Sequence, residues 1–184
     1  EEFARTHVEG GHLDDSVFTV SHVSMQKGGF RVNDITFSLP RGKIMTILGP
    51  SGSGKTLLLK AIAGFIPIES GTIFLGKTQL NELEPHKRKV GFVFENYALF
   101  PSMNAKKNIE FPLKLRRKSK NVIASETKHR IDELDIDASY LERLPRELPE
   151  GMKQLVAIAR EKNHELEVFL MDEPMSQLDA AHHV

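Results

Sequence analysis

The chain has 184 residues, enough to bury a full core as one domain or one domain with a subdomain. Its 25 basic and 25 acidic side chains cancel, so no global basic field argues for nucleic acid. Zero cysteines exclude a disulfide framework and cysteine–zinc sites, and fit a reducing compartment.

Residues 1–16 are polar and glycine-containing and read as a loose lead-in with no charged-then-apolar leader. Starting at Glu1 rather than Met, the chain reads as a processed or excised piece. Val17 to Val20 predicts a strand, and Gly28-Gly29 a turn. Ile35, Phe37 and Leu39 alternate with polar residues, as in a half-buried strand. Ile44 to Leu48 is apolar and partly β-branched and predicts a buried strand. Leu58, Leu59 and Ile62 sit at helical spacing. Thr72 to Leu75 and Val90 to Phe94 predict further strands. From Ala105 to Leu144 charges become dense and Ile131, Leu134 and Leu141 recur at helical spacing, predicting a mostly helical insertion. The basic run Lys114 to Lys120 has no interleaved aromatic residue, so it reads as a solvated helix end rather than a nucleic-acid patch. Gly151 to Arg160 predicts a helix, and Val168 to Met171 a buried strand. No segment is long and apolar enough to span a bilayer, and no histidine spacing suggests a metal site.

Two motifs carry chemistry. Gly49-Pro50-Ser51-Gly52-Ser53-Gly54-Lys55-Thr56 fits G-x-x-x-x-G-K-[ST], the phosphate-binding loop of nucleoside triphosphatases. The glycines let successive N–H groups point at a phosphate, and the following helix N-terminus adds its positive end. Lys55 adds a charge near the outer phosphates, and Thr56 offers a hydroxyl to Mg2+. The second motif is Asp172-Glu173 at the end of an apolar strand. Asp172 is placed to serve magnesium, and Glu173 to orient or deprotonate the attacking water.

Over residues 17–181 these motifs, in this order, resemble the ATP-binding subunits of ABC transporters, most closely importer ATPases. Gly49 to Thr56 matches Walker A, and Val168 to Glu173 matches Walker B with its catalytic glutamate. Val90 to Pro101 resembles the Q-loop region, Leu144 to Gln154 the signature region, and Met175 to Asp179 the D-loop. The resemblance implies an α/β fold, a RecA-like P-loop NTPase core with an antiparallel β portion near the N-terminus and a helical subdomain. The expected boundaries are 17–99 with 156–184 for the core, incomplete at its C-terminal end, and 100–155 for the helical subdomain. It also implies ATP and Mg2+ as ligands, a second ATPase subunit that closes a dimer on ATP, and membrane permease subunits. The expected place is the cytoplasmic face of the membrane, bound peripherally through residues about 95–118, with Tyr97, Leu99 and Phe100 as apolar contacts or as buried packing of a loop.

Departures from the family fall on functional positions. Lys27 stands where an aromatic residue usually stacks on adenine, and Leu57 where a hydroxyl residue usually follows Thr56. Glu95 occupies the Q-loop glutamine position, where a carboxylate also faces magnesium or water. The signature pattern L-S-G-G-Q reads Leu148-Pro149-Glu150-Gly151-Met152, which removes a hydroxyl and an N–H and adds a negative charge near the partner's γ-phosphate. Leu155 replaces a usual arginine, and His182 and His183 come too soon after Asp179 to serve as the switch histidine. Three readings of these departures stay open: a natural degenerate subunit, an incomplete or engineered chain, or imperfect residue assignments. The leading function is an importer ATPase. The alternatives are a regulatory module that binds ATP with little hydrolysis, and an ABC-type ATPase of DNA repair or translation. The last would be expected to carry a coiled-coil insertion or tandem cassettes, and neither is present.

Overall fold

The computed structural model describes residues 17–174. The chain divides into two compact units between Arg88 and Lys89.

The first unit is built on β1 (Val17–Lys27), β2 (Phe30–Pro40), β3 (Ser70–Leu75) and the short β4 (Thr78–Gln79), an antiparallel sheet of order β2-β1-β3-β4. Gly28 and Gly29 join β1 to β2 with φ of 57° and 81°, the doubly left-handed turn whose twist suits a two-residue hairpin. Phe18 and Val20 of β1 are buried, and then burial passes to Val23 and Met25. That odd step breaks strict alternation, and a bulge between Val20 and Val23 accounts for it. His22 takes φ 51° there, and its N–H donates to Thr36 Oγ1 at 2.9 Å. Opposite lies Gly71, where a Cβ would come within 2.4 Å of the His22 carbonyl oxygen, so only glycine admits this backbone approach.

Helix α1 (Lys55–Ile62) buries Leu58 and Ile62 of the expected stripe together with Ala61, while Leu59 is only half-buried. Its far end is held by Arg88, which is buried and donates to the carbonyls of Ala61, Ile62, Asn81 and Leu83 at 2.8–3.1 Å. The carbonyls at a helix C-terminus carry partial negative charge, so a buried guanidinium satisfies them and itself together. Burial pushes the Arg88 pKa down from its usual value.

Ile44 to Leu48 does not form the buried strand expected of it. Residues 43–50 carry no regular structure, and Ile44 and Leu48 are 96% and 86% exposed. An apolar pattern records a preference for burial but supplies no partner. A strand forms only where a neighbour takes its N–H and C=O groups, and the sheet order of this unit gives the segment none.

In the second unit β5 (Val90–Val93) and β6 (Val168–Met171) pair in parallel, Val90 with Val168 through Val93 with Met171. Three helices accompany them: α2 (Ala105–Leu115), α3 (Lys120–Glu133) and α4 (Glu150–Lys162). Asn104 and Ser119 cap α2 and α3, their side chains accepting from the N–H groups of Lys107 and Val122. The basic run from Lys114 to Lys120 spans the end of α2 and the start of α3, where the mostly exposed charges of a solvated helix junction belong. Ala105, Ile109, Ile136, Leu148, Val156 and Ala159 form one core cluster, and Val93, Tyr97 and Ala157 a second. Among the described residues no helix is long and apolar enough to cross a membrane.

Candidate nucleotide-binding site

The phosphate loop occupies the N-terminal end of α1. Ser53 N–H donates to the Pro50 carbonyl at 3.2 Å, and Gly52 and Gly54 take φ of 78° and 97°. These are conformations that glycine adopts at no steric cost, and a glycine loop of this kind offers backbone N–H groups to an anion. Lys55 Nζ donates to the carbonyls of Gly49 and Pro50, both at 2.8 Å. The ammonium therefore sits across the loop that would receive a phosphate. Ser51 and Gly52 are exposed, while Ser53, Gly54, Lys55 and Thr56 are half-buried.

Gly54 needs to be glycine for a second reason. A Cβ there would lie 2.5 Å from Val32 Cγ2 and 2.9 Å from Phe30 Cε1. The β1–β2 hairpin thus supports the loop from behind. Lys27, the position assigned to adenine, is exposed at the end of β1 and pairs across the hairpin with Phe30. Phe30 is 42% exposed. It is a contact that motif reading missed, and the signal for it was present: Gly28-Gly29 predicts a tight turn, which puts residues 27 and 30 opposite each other. Gly54→Ala combines the left-handed strain with the clash, about 1–2 and 1–3 kcal/mol respectively. The expected result is a first unit destabilised by several kcal/mol, read as a lower denaturant midpoint with an unchanged slope.

In the second unit the parallel register of β5 and β6 places residues 95, 172 and 173 just beyond the carboxyl ends of the two strands. Asp172 N–H donates to the Val93 carbonyl at 3.0 Å, extending the ladder by one residue. Glu95 leaves β5 at this end, and Asp172 and Glu173 leave β6 beside it. Ligands of open parallel sheets bind outside the carboxyl ends of the strands. Asp172 is 6% exposed, whereas Glu173 and Glu95 are exposed. Glu173 has φ 48°, a strained value for a non-glycine residue. Among the described residues no three His, Asp or Glu side chains form a metal cage. The donors assigned to magnesium are all oxygen, a hydroxyl and carboxylates, and Mg2+ favours one or two protein carboxylates completed by phosphate and water. The residue types therefore fit that ion.

The segment after Glu95 is rigidly built. Tyr97 and Ala98 take φ of 59° and 44°, and Arg160 of α4 donates to both carbonyls at 3.2 and 2.7 Å. Fully buried Asn108 donates to the carbonyls of Phe100, Met103 and Asn104 and accepts from Phe100 N–H. Tyr97 is buried in the core, Leu99 packs against both clusters, and Phe100 meets Phe111 at a tilt with centroids 4.5 Å apart. Tyr97 is therefore packing, while Leu99 and Phe100 pack on one side and stay half-buried. Asn96, Ala98, Pro101 and Ser102 are the exposed members of the segment.

At the signature region Pro149 caps α4 with ψ 154°, and Glu150 opens the helix. The Glu150 carboxylate accepts from Lys153 Nζ at 2.5 Å and lies at the positive end of α4. The negative charge expected there is present, and it is ion-paired with Lys153 of its own helix. Gln154 Nε2 donates to the Pro174 carbonyl at 2.8 Å, linking α4 to the segment beyond the acidic pair. The D-loop residues 175–179, together with His182 and His183, lie outside the described residues.

A family model described as ABC transporter matches residues 32–176. The chain is 42% identical over 149 residues to the Fe(3+) ions import ATP-binding protein FbpC of Fusobacterium nucleatum, covering 81% of this chain and 40% of the relative. It is 40% identical over 164 residues to the maltose/maltodextrin import ATP-binding protein MalK of Aliivibrio fischeri, covering 89% and 44%. It is 42% identical over 163 residues to the molybdate/tungstate import ATP-binding protein WtpC of Thermococcus kodakarensis, covering 89% and 49%. The chain spans less than half the length of each of these relatives. A solved dimeric ATP-binding cassette, in a post-hydrolysis state with ADP and Pi, superposes with a TM-score of 0.76 at 24% identity, over 87% of this chain and 75% of that one. The fold is accordingly that of a P-loop cassette. One continuous match takes in the loop at α1, the helix after the signature and the acidic edge of β6, and the chain belongs to the ABC transporter family.

Proposed function

We propose that the chain is the ATP-binding and ATP-hydrolysing part of a subunit that energises solute import through a membrane permease. The observation that carries this reading is the phosphate loop, with Lys55 bridging the Gly49 and Pro50 carbonyls at the start of α1. In this reading residues 49–56 cradle the phosphates and Lys27 lies beside the base. Thr56 and Asp172 would hold magnesium and Glu95 would face it, and the ion, when bound, would supply charge neutralisation for the phosphates. Glu173 accepts a hydrogen bond from the attacking water, orienting it toward the γ-phosphorus and taking up its proton as ADP and phosphate form. Residues 17–99 and 156–184 form the ATP-binding core, and 100–155 the helical subdomain.

Association with a second ATPase subunit and with permease subunits, at the cytoplasmic face of a membrane, completes the proposal. The exposed residues Asn96, Ala98, Pro101 and Ser102 offer the permease a surface held in shape from behind by Arg160 and Asn108. Relatives named for iron, maltose, polyamines and molybdate or tungstate are all similar to this chain, so the solute is not specified by it.

Pro149 favours a second reading, a module that binds ATP but turns it over weakly. It has no N–H to give a partner's nucleotide where the family pattern has serine. The experiment is ATP turnover by a full-length form with its permease, before and after Pro149→Ser with Glu150→Gly. The importer reading expects transport-coupled turnover in the parent and an increase in the double variant. Absence of turnover in both forms, with ATP binding intact, would replace it with the second reading.

A further inference from the structure

We infer that the cleft between α2 and α3 is a binding site for a small amphipathic anion, an apolar body carrying one carboxylate or phosphate. The cleft has a volume of about 480 Å3, within the range of small-molecule sites. It lies wholly within the second unit, and the nucleotide reading makes no use of it.

Its lining has two characters. Ile123, Ala124, Ile131 and Leu141 give an apolar floor, while Lys106, Lys114, Lys120 and Lys128 stand around it. Glu110 neutralises Lys114 at 2.6 Å, and Asp132 neutralises Lys128 at 2.7 Å. Lys106 and Lys120 have no ion pair among the described residues, so the lining keeps two uncompensated positive charges beside apolar surface. An inorganic ion gains nothing from the floor, and a neutral hydrocarbon gains nothing from the lysines. A molecule with both parts uses both. Nucleic acid is a poor fit, since the lining holds no aromatic ring on which a base could stack.

Thr127 supplies the independent observation. It lines the cleft, is 2% exposed, and is the one buried side chain of α3. Its hydroxyl Oγ1 has no hydrogen-bond partner among the described residues. Buried hydroxyls are almost always paired, and helical threonine commonly settles the matter by bonding to the carbonyl one turn back. Here that bond is not made. Helical threonine divides between two χ1 rotamers, so rotation about one bond presents the hydroxyl to a ligand oxygen. An anionic oxygen in the cleft would accept from Thr127 while a lysine neutralises its charge.

The test is a calorimetric and amide-NMR titration of the full chain with octanoate, with inorganic phosphate and octylammonium as comparison probes. Octanoate is expected to bind saturably, moving amide signals of α2 and α3. Lys106→Glu and Lys120→Glu should each weaken it about tenfold, the loss of one charge-assisted contact. Thr127→Val keeps the shape and removes the hydroxyl, so it should weaken octanoate several-fold at undiminished thermal stability. Octanoate binding that is absent, equalled by octylammonium or by phosphate alone, or unchanged in Thr127→Val would overturn the assignment.

Discussion

Lys55→Ala is expected to abolish tight ATP binding. In the free chain the ammonium donates to the Gly49 and Pro50 carbonyls at 2.8 Å, which holds it over the loop. A triphosphate brings stronger acceptors to the same place, and the flexible lysine stem needs only a small reorientation to meet them. Each charge-assisted hydrogen bond lost is worth roughly 1.5–3 kcal/mol, so losing two weakens binding by about 10²–10⁴-fold. The side chain is half-buried and the loop is shaped mainly by its glycines and by the hairpin behind Gly54. The fold should therefore survive, and the loss should appear in calorimetry at an unchanged melting temperature. Equal ATP affinity of variant and parent would contradict the role given to Lys55.

Glu173→Gln is expected to separate binding from chemistry. Glu173 is exposed at the end of β6, beside buried Asp172. Glutamine keeps the length and one acceptor but loses the charge that attracts a proton. Nucleotide binding should persist while hydrolysis falls by about 10²-fold or more, the scale of general-base removal. The left-handed φ of 48° is unaffected by the swap, so a folding defect is not expected. A variant that hydrolyses ATP at the parental rate, in a form where the parent is active, would remove Glu173 from the mechanism.

Elements whose signals are local were legible in the sequence. The strand Val168 to Met171 was delimited by its apolar run and the acids after it, and the glycine pair at 28–29 marked the hairpin turn. Helix α4 was readable because Val156 and Ala159 repeat on one face. The phosphate loop was readable because its spacing encodes backbone geometry, which glycine alone supplies at Gly52 and Gly54.

What escaped depends on partners distant in sequence. Ile44 to Leu48 has a strand's composition, yet no ladder takes it up within its unit. The bulge at His22 rests on a close approach to Gly71, far along the chain. Arg160 and Asn108 looked like ordinary helix residues, and their work on the carbonyls of residues 97–104 appears only when α2 and α4 are packed. The pairing of Glu150 with Lys153 likewise shows only once a helix is known to start there, because an i,i+3 partner faces it only in helical geometry.

The central claim is that residues 49–56 are where this chain holds a nucleotide's phosphates. Amide NMR of the chain titrated with Mg–ATP, and separately with Mg2+ and adenosine, tests it most directly. The expected result is saturable movement of the Gly52, Gly54, Lys55 and Thr56 amide signals with Mg–ATP and none with adenosine. Loop amides that stay still while ATP binds, or that move equally with adenosine, would contradict the claim.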